Sequence, residues 1–278
     1  MTTLMFCMAT LVSGLSTPPI SRRAFIAVGT AATAAAPCLA ADPPATALAK
    51  VTDMVELDFT QQLEGSSGET RTISLEIGLF GRDAPTSVSV FKSLASGQLK
   101  VPCGPEPDLS GEVMERGKQS KKAAYRTCLG YETEPVSYAY SQVWSIQKGR
   151  RIDAGLVQGK FALREPPATD ASESAALSHD APGLISVKRG GGNFDFGITT
   201  APAPEDNAEF IVIGRVLKGL DALAELDAAP VVKAAEALGV ESASSSRGKA
   251  CFYGSPNSYC AQNKPLRKIL LRNARVLS

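Results

Sequence analysis

The chain of 278 residues is 44% hydrophobic and 21% charged, with 29 Lys and Arg against 28 Asp and Glu; this globular composition excludes collagen, long disorder and a disulfide mini-protein. No basic excess marks a phosphate-binding surface, so nucleic acid is not an expected partner. The single histidine, His179, and the lack of any Cys-x-x-Cys pair leave too few soft ligands for zinc, and no metal is expected.

Residues 1–41 contain no Asp or Glu, and their only charges are Arg22 and Arg23 among scattered Ser and Thr. Transit peptides have this composition. Ser21-Arg22-Arg23-Ala24-Phe25 opens an Ala-rich apolar run ending at Ala36, too short to span a bilayer, which reads as a twin-arginine export signal. Residues 1–47 are therefore expected to form a bipartite leader that directs the protein through the plastid into the chloroplast thylakoid lumen. The candidate cleavage points follow Ala40, Ala41 or the tripeptide Ala45-Thr46-Ala47. A bacterial twin-arginine signal, giving a periplasmic protein, is the alternative. Residues 48–278 are expected to form one domain.

That domain keeps Cys103, Cys128, Cys251 and Cys260, an even number in an exported protein, and three pairings are open. Cys103 with Cys128 and Cys251 with Cys260 each close one polar, Gly- and Pro-rich loop; four reduced thiols are the alternative.

Residues 51–60 and 71–80 alternate apolar and polar side chains around Gly65-Ser66-Ser67-Gly68, the pattern of a β-hairpin. Ala84-Pro85-Thr86 then opens a short helix with Val88, Phe91, Leu94 and Ala95 on one face and Gly97 at its end. Residues 98–136 are polar and strongly charged from Glu115 to Lys122, and read as an inserted loop. Short apolar runs follow at 138–146, 155–163, 183–187, 194–200 and 210–216, all strand-like. A second helix is expected over 217–226, a loop through the 230s to 260s, and a last strand over 267–276. An all-β barrel with two helices fits this series.

The runs "IGLFGRDAPTSVSVFKSLASG", "HDAPGLISV", "FIVIGRVLKGLDALAEL" and "KILLRNARVL" resemble the cyclophilin-type peptidyl-prolyl cis-trans isomerases, in the family's order. His179-Asp180-Ala181-Pro182-Gly183-Leu184-Ile185-Ser186 is similar to the family's H-x-G-P-G-x-L-S turn and strand. Phe210-Ile211-Val212-Ile213-Gly214-Arg215-Val216 is similar to its V-V-F-G-x-V strand. The resemblance implies a mainly β fold, a closed eight-stranded antiparallel barrel capped by two helices with inserted loops. It also implies a hydrophobic proline pocket, no cofactor, and proline-containing polypeptides as clients.

The family's F-H-R-V-x-x-x-F-x-x-Q-G-G-D motif corresponds to residues 143–161, where Gln158-Gly159 matches its Q-G. Counting back without a gap places Arg150 at the catalytic arginine, with Leu156 and Val157 lining the floor. Matching Ile146-Gln147-Lys148-Gly149 to the family's V-I-P-G turn instead places Ser145 there. Either way Gly155 replaces the first pocket phenylalanine. The resemblance makes Phe196 the proline-pocket ring and puts Phe210 at the pocket histidine, while Glu205 and Asp206 stand where many members carry Trp and Leu. The catalytic candidates are thus Arg150 and Gln158, and the substrate-binding candidates Leu156, Phe196 and Phe210. His179 reads as a structural turn residue and Trp144 as packing.

Isomerase activity, reduced by this degenerate pocket, is the first functional expectation. The second is a non-catalytic cyclophilin-like factor that assists a photosynthetic membrane complex through its inserted loops.

Overall fold

Alternation decides the first hairpin: Val55, Leu57 and Phe59 on one strand and Ile73, Leu75 and Ile77 on the next are all buried, with polar residues between them. In the computed structural model, which describes residues 49–62, 69–232 and 263–277, these are β1 (Asp53–Gln62) and β2 (Thr70–Leu79), paired antiparallel from Asp53 opposite Leu79 to Gln62 opposite Thr70. The expected leader, the expected turn at Gly65-Ser66-Ser67-Gly68, and Cys251 and Cys260 with their expected pairing lie outside the described residues.

The helix α1 (Pro85–Ala95) follows, with proline in its first turn, where the missing N–H costs nothing. No local side chain caps it. The capping group comes from far along the chain: the Glu173 carboxylate accepts the Thr86 and Ser87 backbone N–H groups at 2.6 and 3.1 Å and the Ser87 hydroxyl at 2.6 Å. Burial opposes ionisation of Glu173, but these bonds prevail and lower its pKa. A carboxylate at a helix N-terminus also meets the positive end of the dipole.

The segment expected as an inserted loop contains a helix, α2 (Glu115–Gly130). Its only buried residue is Cys128, so it has no apolar stripe from which its period could be read. Cys128 is disulfide-bonded to Cys103, which holds the helix against the domain. Closing a loop of this length contributes about 2–4 kcal/mol.

Short strands complete the sheet: β3 (Ser141–Gln142), β4 (Ser145–Gln147), β5 (Arg151–Ala154), β6 (Leu184–Lys188), β7 (Phe196–Thr199), β8 (Phe210–Lys218) and β9 (Ile269–Leu277), with α3 (Leu220–Asp227) after β8. The order is β3-β9-β1-β2-β8-β6-β7-β5-β4, an open nine-stranded antiparallel sheet with three helices among the described residues. The expected closed barrel of eight strands and two helices is corrected accordingly. The physical reason is a hand-over within residues 141–147. Val143 donates its N–H to Ile269 of β9 at 3.0 Å, whereas Trp144 donates to Asp153 of β5, also at 3.0 Å. One stretch thus serves two neighbours as two short strands, and these form the two ends of the sheet.

The apolar run 155–163 is not a strand. Gly155 has φ +85°, and a Cβ there would lie 2.8 Å from ring carbons of both Tyr138 and Phe196; β5 ends at this turn and a 3-10 turn follows at Gly159–Phe161. Conversely, β5 was hidden by its charges. Ile152 and Ala154 face the core, while Arg151 and Asp153 are buried on the other side and bond each other at 2.5 Å. All of these elements belong to one unit, residues 42–278.

Candidate functional site

The loop Pro204–Ala208 is a 3-10 turn carrying Glu205 and Asp206, and His179 holds it in place. The backbone N–H of His179 donates to Asn207 Oδ1 at 2.9 Å, and its carbonyl accepts the Ala203 N–H at 2.8 Å. Nδ1 lies 2.6 Å from the same Oδ1, an acceptor, which assigns the ring proton to Nδ1. The imidazole is fully buried, and burial holds its pKa below the usual value, against the opposing pull of Asn207 and Asp206. The folded state therefore binds this proton less readily than the unfolded chain. Its contribution to stability is complete above the ordinary histidine pKa of about 6.5, and is lost as the pH falls below it. Unfolding free energy is expected to fall between pH 7 and pH 5, with His179→Gln giving a flatter slope in chemical denaturation; equal slopes would reject this role.

Facing the 3-10 turn is the hairpin of β4 and β5. Its turn falls at Lys148–Arg150, where the Arg150 N–H donates to the Gln147 carbonyl at 2.9 Å and the Gly149 N–H donates to Asp227 Oδ2 at 3.0 Å. Ser145 lies on β4, buried opposite Asp153. This geometry fits the register in which Lys148-Gly149 is the family's turn and Ser145 stands at the arginine position. Arg150 nevertheless reaches the site from the end of the turn.

An open cavity of about 910 Å³ lies between these elements, bordered by Trp144, Arg150, Arg151, Asp195, Glu205, Asp206 and Phe210 among others. The half-exposed Arg150 guanidinium hydrogen-bonds Asp206, and its Nε is 3.1 Å from Glu205. The Asp206 bond is the main reason its pKa is raised. Arg151 is 3% exposed, bonds Asp153, lies 3.5 Å from Asp206, and stacks its guanidinium 3.5 Å from the Phe210 ring centroid, within cation–π range. The glycine at 197 makes this possible, because a Cβ there would overlap the Arg151 guanidinium. Burial first, and then Asp153, raise the Asp195 pKa, while its backbone hydrogen bond, Arg151 and the Trp144 side chain oppose the shift.

Of the five candidates, Arg150 and Phe210 come together on this cavity. Phe196 does not line it: the ring is 1% exposed in the core, 5.2 Å from Phe91 and 5.0 Å from Tyr138, nearly edge-on to both. Gln158 is exposed and accepts a hydrogen bond from Gln142 at 2.9 Å. Leu156 is half-buried and bridges to Gln142. Neither borders the cavity. Sequence reasoning passed over Arg151, Asp153 and Asp195, and it took Trp144 for packing although that ring is 38% exposed at the cavity. The available signal was the presence of Arg150-Arg151 beside Glu205-Asp206, the two carboxylates standing where many family members carry Trp and Leu.

Comparison with known proteins agrees with this architecture. The model of the family described as cyclophilin type peptidyl-prolyl cis-trans isomerase/CLD matches residues 68–242, more than half of the chain. The chain belongs to this cyclophilin family. A curated relative, "Peptidyl-prolyl cis-trans isomerase 9" of Caenorhabditis briggsae, is 27% identical over 156 residues, which is 55% of this chain and 42% of the relative. The match thus spans less than half of that relative's own length. Among the described residues, no group of three or more His, Cys, Asp or Glu side chains is arranged to hold a metal ion, and no helix is long and apolar enough to cross a membrane.

Proposed function

We infer that this cyclophilin is a peptidyl-prolyl isomerase of attenuated activity, working on proline-containing polypeptides in the thylakoid lumen. The leader composition supports the compartment, and the Cys103–Cys128 disulfide suits an oxidising one. The observation that carries the attenuation is the charge in the cavity. Arg151 covers the Phe210 face that an apolar pocket would offer to a proline ring, and Asp206 ties down both arginines.

Isomerisation needs no covalent step. Resonance holds an Xaa-Pro bond planar with a barrier of about 18–20 kcal/mol. Catalysis requires donors that hold the carbonyl, a surface that grips the ring, and a cation directed at the prolyl nitrogen as it loses conjugation. Arg150 is a half-exposed cation at the centre of the charged cluster, with Lys188 and Arg189 also on the cavity border, and Trp144 and the free edge of Phe210 supply the remaining apolar surface. Glu205 and Asp206 compete for the positive charge, which lowers the rate.

The rate of isomerisation of a short Xaa-Pro peptide tests this reading. Wild type is expected to accelerate it, Arg150→Ala to lower kcat/KM about 100-fold, in line with loss of one electrostatic donor, and Glu205→Gln to raise it about twofold to fivefold, equivalent to about 0.4–1 kcal/mol of the barrier. An unchanged rate in Arg150→Ala would reject the assignment.

The covered Phe210 face also favours a second reading, a non-catalytic barrel that assists assembly of a photosynthetic membrane complex. Binding of a proline peptide by wild type without any acceleration would select it.

A further inference from the structure

The helix α2 carries positive charge that is only partly paired among the described residues. Its sixteen residues, ERGKQSKKAAYRTCLG, include five cations and one carboxylate, and Cys128 is its only buried side chain. Two of the cations are paired: Lys118 lies 3.8 Å from Glu115 and Lys121 lies 3.0 Å from Glu112. Lys122 and Arg126 are exposed and make no ion pair among the described residues. Lys118, Lys122 and Arg126 follow at four-residue steps and so form one row along the helix, about 12 Å long at 1.5 Å per residue. Val113 and Met114, 93% and 67% exposed, protrude where the helix begins, and Leu129 is 45% exposed near its end.

The segments outside the described residues are poor in carboxylates. In sequence, Asp42 is the only carboxylate of residues 1–48, Glu64 the only one of 63–68, and Glu236 and Glu241 the only ones of 233–262. An exposed row of cations is complementary in charge to a carboxylate-bearing surface of another molecule. Acidic residues flank the row at both ends, Glu112 and Glu115 before it and Glu132 and Glu134 after it. A broad anionic surface such as a bilayer would be pressed against those carboxylates, whereas a narrow acidic feature would not. The disulfide to Cys103 holds the row at one place on the domain.

We propose that the Lys118–Lys122–Arg126 row of α2 is a docking site for a partner polypeptide that presents a helix or strand lined with carboxylates. The apolar Val113 and Met114 give this contact an edge that water leaves on binding. The proposal is independent of the isomerase reading, because none of these residues borders the cavity.

The probe is a labelled 20-residue helical peptide with glutamate at every fourth position on one face, beside its glutamine twin, titrated by fluorescence anisotropy against the full chain with its disulfide intact. Wild type is expected to bind the glutamate peptide at least tenfold tighter than the glutamine one, with an affinity that falls steeply as salt rises. The triple variant Lys118→Glu, Lys122→Glu, Arg126→Glu is expected to abolish binding. A variant that keeps the net charge but breaks the row, Ser120→Lys with Lys122→Ser, is expected to lose severalfold. Both variants are expected to keep the wild-type circular dichroism and Xaa-Pro isomerisation rate, which separates failure of this proposal from failure of the isomerase reading. Equal binding of the two peptides, or undiminished binding by the row-breaking variant, would overturn the proposal. So would tighter binding to phosphatidylglycerol vesicles than to the peptide, which would identify a membrane surface. Concentration-dependent self-association abolished by the triple variant would likewise overturn it, by identifying a second copy of the chain as the occupant.

Discussion

Phe196→Ala is expected to lower the free energy of unfolding by about 3–5 kcal/mol, the usual loss for a buried aromatic ring cut back to a methyl group. Phe196 belongs to a trio with Phe91 of α1 and Tyr138, all buried, with centroids 5.0 to 5.3 Å apart. Removing it takes away two ring contacts at once and opens a cavity between α1 and β7. The backbone turn at Gly155 sits directly against this ring and cannot easily move to fill the space. Chemical denaturation with the transition midpoint and slope both recorded is the measurement. Were Phe196 a surface ring of a proline pocket, the same substitution would cost little stability and would act on substrate binding instead; a loss below about 1 kcal/mol would therefore restore the original assignment.

Asp206→Ala is expected to destabilise the fold by about 3 kcal/mol, the low end of the range for breaking a buried ion pair by removing one partner. Asp206 is 2% exposed and lies between the half-exposed Arg150 and the buried Arg151. Without its carboxylate, Arg151 keeps Asp153 at 2.5 Å, which limits the loss, but its other end faces an empty acceptor position. Combining Asp206→Ala with Arg151→Met and Asp153→Leu removes all three charges together, since Arg151→Met alone would strand the buried Asp153. The triple variant is expected to recover most of the stability, because well-packed apolar replacements of buried ion pairs are often neutral. Failure of the triple variant to rescue would show that Asp206 acts through the 3-10 turn it sits on, not through the arginines.

These two residues mark where sequence reasoning stopped. Phe196 was legible as an important aromatic ring, because it stands in the family's order before β8, but a linear order does not say which side of a strand faces the core. The structure settles this through alternation: Phe196 and Ile198 on β7 join the core, whereas Asp195 borders the cavity. Arg150 and Phe210 were legible from the motif, and the structure does bring them to one cavity. Gln158 and Leu156 were equally legible and are not there, because the chain turns at Gly155 and carries them away. Arg151 was hidden by its charge. An arginine inside a strand reads as exposed unless its partners are known, and Asp206 lies 55 residues further along the chain.

Local chemistry is what the sequence by itself determined. The period-two pattern set β1, β2 and β9, short apolar runs set β6 and β8, the i, i+3 pattern set α1, and the spacing of Cys103 and Cys128 within one polar loop anticipated their disulfide. Motif order pointed to the cyclophilin family, which the family match bears out. Tertiary structure decided everything that depends on long-range contact. It made a helix of residues 115–130, which bury only the cysteine that anchors them, and it capped α1 with a glutamate 86 residues away. It also split one closing strand between two neighbours and placed a paired arginine over the face of Phe210. Periodicity reports which residues a segment buries, whereas the partner that makes burial of a charge or an unpaired backbone group tolerable is fixed only when distant segments meet.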